Sequence, residues 1–236
     1  MVPDTGESRF EMPAGTVAVV DAVFAFVLLF VPGVLVALLH RGYGAPLGRV
    51  EVGVLGLLAG FGALGVYAWV RRRALTWDLR PAWALTRYGL FMLIWFPAAF
   101  WIYPMVMREL GIPLPVQDVL RYVANGPHGG FLWMTVFVAC ILAPLGEELF
   151  FRGFLFRAIE VNSHRYMALA MTSLLFALTH ERSVMLPVLG LGLLFGYVRM
   201  KTGGVGSSIL LHMVHNSWTV MVAMVAPETL DLVFDK

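Results

Sequence analysis

The sequence predicts an all-α polytopic membrane protein, about seven transmembrane helices with a polar site between helices 4, 5 and 7. Three observations carry this. The 236-residue chain is 59% hydrophobic and 14% charged, where soluble domains carry about a quarter charged residues. Its mean hydropathy is +0.79. Its apolar runs approach the roughly 20 residues needed to cross a bilayer, and its intramembrane ionisable groups gather in the later runs.

The first 13 residues form a polar, acidic tail. They lack the basic leader of a signal peptide, so the first run is expected as an uncleaved helix. Seven runs follow, at 16–39, 51–70, 88–107, 130–157, 166–180, 184–200 and 205–226. The fifth and sixth are separated by "ERS" and read as a hairpin. The stretch "GIPLPVQDVLRYVANGPHGG" is too polar to span. The helical spacing of its Val116, Val119, Leu120 and Val123 predicts a short helix at the membrane interface. Gly56 with Gly60 and Gly192 with Gly196 suit close helix packing. No repeat divides the chain, so a single membrane domain over 1–236 is expected, with its motif-bearing core at about 130–220.

Net charge is +2 and no basic cluster is interleaved with aromatics, which argues against nucleic acid as a partner. The single cysteine, Cys140, allows neither an internal disulfide nor a cysteine-built zinc cluster; it reads as a small packing residue. Loop cations set the orientation. With Arg71, Arg72, Arg73, Arg80 and Arg87 in the cytoplasm, the N-terminus is inside and the C-terminus outside. Eleven of the 17 cations, Arg9 among them, then lie inside. Arg71 to Arg73 read as a topology signal, and Trp69, Trp77, Tyr88 and Tyr103 as interface anchors. Asp21, near the start of the first helix, is expected to reach the interface.

An ionisable side chain in a membrane helix costs about 2.5–3.5 kcal/mol on insertion scales. Here such groups are Glu147, Glu148 and Arg152 in the fourth run, His180 ending the fifth, and His212 and His215, beside Asn216, in the seventh. At about 1.5 Å rise per residue, Glu147, His180, His212 and Asn216 fall in one band of depth, roughly 12 Å thick. His212 and Asn216 are four apart and share a face. Glu148 and Arg152 form an i,i+4 pair of opposite sign, while Glu147 points about 100° away from Glu148. A carboxylate in a partly dry cavity suits a general base acting on water, and a histidine and an asparagine can donate to an oxyanion. The parts for amide hydrolysis are present without a serine or cysteine nucleophile. The same groups also suit a proton-coupled transporter, although no inverted repeat supports one.

In order along the chain stand "EELFFR" (Glu147 to Arg152), "FALTH" (Phe176 to His180) and "HMVHN" (His212 to Asn216). They resemble the EExxxR, FxxxH and HxxxN/D motifs of the CPBP family, which comprises CAAX prenyl endopeptidases and the bacterial Abi proteins. The resemblance covers roughly residues 130–220. It implies a glutamate-type intramembrane endopeptidase acting on a membrane-anchored or C-terminal-tail protein substrate. Glu147 matches the catalytic glutamate, Glu148 and Arg152 its supporting acid and base, and His180 the histidine that holds the water. His212 and Asn216 match the oxyanion pair, while His215 matches no required position and is expected to pack against a neighbour. No cofactor is favoured. There is no HExxH signature, and a zinc ion would have to be held by Glu147, His180 and His212 from separate helices. A bacterial cytoplasmic membrane is the expected location. A non-catalytic immunity or scaffold protein of the same fold is the alternative.

Overall fold

The structure, a computed structural model, describes residues 13–43, 47–78, 80–126 and 129–234. The polar tail up to residue 12, with Arg9, lies outside them. Among the described residues nine helices form and no strand. All seven apolar runs are helical. Five helices are long and apolar enough to cross a membrane: α1 Ala14–Tyr43, α2 Arg49–Val70, α3 Ala82–Glu109, α5 Gly130–Asn162 and α8 Gly206–Val225. The protein is an integral membrane protein. The remaining helices are α4 Asp118–Asn125, α6 Arg165–Leu178, α7 Met185–Thr202 and α9 Glu228–Val233.

Small residues let the backbones meet. On α1, Ala18, Ala22, Ala25 and Leu29 form a buried stripe. Gly33 lies against Gly56 of α2, and Gly60 lies so close to the Leu29 carbonyl that no side chain fits between them. Gly192 and Gly196 of α7 pack in the same way on Ser173 and Leu169 of α6, closing the hairpin read from "ERS". Gly203, at φ 78°, ends α7 in the left-handed conformation that favours glycine.

Three features expected at the interface have protein partners. Asp21 is surrounded by protein. It is 4% exposed, accepts hydrogen bonds from Tyr67 Oη at 2.8 Å and Arg71 Nη2 at 2.7 Å, and has Arg157 at 3.9 Å. Arg71 is therefore a tie between α1 and α2 as well as a loop cation, because an acid in an apolar helix needs a paired charge. Tyr103 is half-buried beside the Phe100 cluster and lines the central cavity. Helix α4 forms as predicted, but its apolar face is taken up by protein. Leu120 and Val123 are buried against α8 and the cavity wall, so α4 roofs the site.

Two features set the depth of the polar side chains. The α7–α8 turn is stitched to the segment before α3. Asp78 accepts from Ser207 N at 2.8 Å and Ser207 Oγ at 2.5 Å, and Val205 N donates to Thr76 O at 3.1 Å. Asp78 thus satisfies one of the amides that a helix start leaves open and pins the first turn of α8. Helix α5 runs on to Asn162, beyond the Arg157 end expected for it, and widens into five-residue hydrogen-bonded turns at Val138–Leu142 and Leu149–Leu155. Such turns often mark functional sites. Here they flank Pro144, Glu147 and Glu148.

Candidate active site

A cavity of about 300 Å³ opens between α2, α3, α4, α5, α6, α7 and α8. Most of its wall is apolar, with Val54, Phe96, Phe100, Leu120 and Val220 among the lining residues. At its polar end stand Glu147, His180, His212 and Asn216, the four residues singled out in the sequence. They come from α5, from the turn after α6, and from α8.

The two glutamates have separate environments, as their 100° divergence requires. Glu148 is fully buried. Its Oε1 accepts from Arg152 Nη1 at 2.9 Å and meets His212 Nδ1 at 3.1 Å. Arg152, also fully buried, donates a second bond to the Gly192 carbonyl at 2.9 Å. Its guanidinium lies 4.5 Å from the centre of Phe176 and 5.6 Å from that of Phe195, faces that attract a cation. The i,i+4 pair expected of Glu148 and Arg152 is present and locked between α5, α6 and α7. Glu147 has the exposure its neighbour lacks. Its side chain is 21% exposed, lines the cavity, and places Oε2 3.8 Å from His212 Nε2.

His212 therefore sits between both acids. Its ring stacks on Phe195 at 4.9 Å and meets the edge of Phe176 at 5.7 Å. Nδ1 is taken up by the Arg152-paired Glu148, and Nε2 is left to the cavity. His180 Nδ1 lies 2.8 Å from the Phe176 carbonyl, an acceptor, so Nδ1 donates and Nε2 is the free acceptor. The Phe of the "FALTH" stretch thus holds both imidazoles, one by its carbonyl and one by its ring. Asn216 Nδ2 donates to the Ala139 carbonyl at 2.9 Å.

Sequence reading underweighted His215. It packs edge-on against Phe96 at 6.3 Å, as expected, but it also lines the cavity. His212, His215, Asn216 and Thr219 all do so, and their i, i+3, i+4, i+7 spacing was the available signal. Ser183 was missed because it lies in a turn without a motif. It lines the cavity and its buried hydroxyl has no protein partner. Among the described residues no three His, Cys, Asp or Glu side chains converge to hold a metal ion. Glu147 and His212 alone are a poor fit for zinc, which takes at least three protein ligands.

Residues 129–218 match the family described as type II CAAX prenyl endopeptidase, Rce1-like. That span contains every motif residue from Glu147 to Asn216. This match supports the CPBP resemblance of that segment. A curated relative, the membrane-embedded CAAX protease MroQ of Staphylococcus aureus (strain USA300), is 35% identical over 102 residues, which is 40% of this chain and 41% of the relative. The chain thus spans about two fifths of the length of the curated relative it matches. No solved structure matches. The CPBP likeness accounts for α5 to α8; α1 to α4 lie outside the matched residues.

Proposed function

We propose that the protein is an intramembrane endopeptidase that hydrolyses a peptide bond near the membrane anchor or C-terminal tail of a protein substrate. One observation carries the reading: a single imidazole, His212, is held through Nδ1 by a buried Glu148–Arg152 pair and turns Nε2 to a second glutamate that faces a cavity.

In the proposed reaction a water bound between Glu147 and His180 Nε2 gives its proton to Glu147 as its oxygen attacks the scissile carbonyl carbon. His212 Nε2–H donates to the oxyanion of the tetrahedral intermediate, where a preorganised donor is worth most. On collapse the C–N bond breaks, and Glu147 passes its proton to the departing amine nitrogen. Asn216, the second oxyanion donor implied by the resemblance, has one amide hydrogen on Ala139 and another for the cavity. No step runs through a metal. The apolar wall suits a substrate segment drawn from lipid, and the cationic loops favour an N-in, C-out arrangement in a bacterial cytoplasmic membrane.

The test compares cells expressing the wild-type chain with cells expressing Glu147→Gln, by mass spectrometry of membrane-protein termini. New C-termini or released tails are expected with the wild type alone. Identical termini in both, together with full turnover by purified Glu147→Gln, would remove Glu147 from the chemistry.

A further inference from the structure

We infer that Asn216 is a positioning residue: it spans the proline break in α5 by satisfying the carbonyl of Ala139, and so holds Glu147 and Glu148 in place. The widened turn Val138–Leu142 ends with Ala143 N donating to Val138 O, five residues back. In that register the next carbonyl, Ala139 O, needs the amide of residue 144. Residue 144 is proline and has no N–H. The neighbours Val138 and Cys140 are buried, at 2% and 8% exposure, and an unpaired carbonyl in such surroundings is costly. Asn216 Nδ2, at 2.9 Å, fills the gap.

The same face of α8 grips α5 on the other side of the proline. One turn before Asn216, His212 holds Glu148 at 3.1 Å. The four-residue spacing of His212 and Asn216 thus matches two grips on α5, at Ala139 and Glu148, with Pro144 between them. Without the Asn216 grip the first part of α5 is free to leave its widened register, a turn of about 100° for each residue of slip. Val138 and Ala139, both in the cavity wall, would then move relative to Glu147. A residue acting only on an oxyanion has no such link to Pro144, so the two roles separate by experiment.

Cys140, the single cysteine of the chain, is buried and adjoins the carbonyl in question. Its alkylation by N-ethylmaleimide in membranes reports the register without any substrate. Asn216→Ala is expected to speed alkylation about tenfold or more, and to lower turnover of a fluorogenic peptide library about ten- to a hundredfold, chiefly in kcat, as one unpaired buried acceptor implies. Adding Pro144→Ala restores an N–H that reaches Ala139. In that background Asn216→Ala should no longer speed alkylation, and its turnover loss should be smaller. If Asn216→Ala does not fold, Asn216→Asp takes its place: it donates only when protonated, so Cys140 labelling relative to the wild type at the same pH should be near one at low pH and raised at high pH. Unchanged Cys140 labelling in Asn216→Ala, or a turnover loss as large with Pro144→Ala as without it, overturns the inference and returns Asn216 to the oxyanion. The activity arm rests on the protease reading. Absent turnover in the wild type sinks that reading and leaves the labelling arm to decide this one.

Discussion

Asp21 and Glu147 are both carboxylates set in apolar helices of the same bundle, within reach of cationic partners. Around Asp21 the partners saturate the acid. Tyr67 and Arg71 each donate to it, Arg157 lies at 3.9 Å, and it lines no described cavity. The cluster ties α1 to α2 and α5 where the helices meet the cationic loops. Around Glu147 the partners are divided. Its neighbour Glu148 takes Arg152, while Glu147 has His212 at 3.8 Å and a cavity in front of it. Burial and pairing are common to the two regions and mark neither as a site. What distinguishes the second is a carboxylate oxygen left facing space that a water and a peptide can enter.

That contrast breaks first at Glu147. Glu147→Gln keeps the shape of the side chain and is expected to lower turnover on the order of 10²- to 10⁴-fold, the range for a lost general base, with the unfolding temperature in detergent nearly unchanged. Next in size is the pair behind it. Arg152→Ala leaves Glu148 buried and uncompensated, which costs about 3–5 kcal/mol; a wild-type thermal transition in this variant would show that the pair carries no load. Asp21→Ala tests the other region. With its tyrosine and arginine partners left unmatched, it should lose about 1–3 kcal/mol of stability, while activity per folded molecule stays near that of the wild type. A selective loss of kcat in Asp21→Ala would erase the distinction between the two clusters.

The smallest effect is expected at Glu181, an exposed acid beside His180. Burial, with Asp118 adding, pushes its carboxyl above the usual carboxylate range. The folded chain then holds this proton more tightly than the unfolded chain, so the charge costs stability above the ordinary carboxylate pKa and costs nothing below it. Glu181→Gln should therefore stabilise slightly at neutral pH, by no more than about 0.5 kcal/mol given its exposure, and not at all near about pH 3. Unfolding midpoints at the two pH values check the sign.

Much of the candidate site was legible before the fold. The separation of Glu147 from Glu148 follows from helix geometry, and the pairing of Glu148 with Arg152 from their spacing. The shared depth of Glu147 and His212 also held, although α5 extends past Arg157 and α8 is pinned at Asp78. The rest depended on partners far away in the chain. Nothing near Asp21 announces Tyr67 or Arg71, 46 and 50 residues on. The bond from Asn216 to Ala139 crosses 77 residues, and its reason, a proline five residues after the acceptor, appears only once α5 is seen to widen there. That Tyr103 turns toward the cavity was not legible, because its position along α3 is visible in the sequence and its direction is not.

By itself the sequence determined that this is a helical membrane protein, where its helices run, and which few polar side chains they carry inward, because a bilayer admits only long apolar segments and penalises each exception. The tertiary structure alone decided which way those side chains turn. A helix that is apolar all round has no polar face to set its phase, so small-residue contacts and distant hydrogen bonds chose the rotation that brings His212 between Glu147 and Glu148.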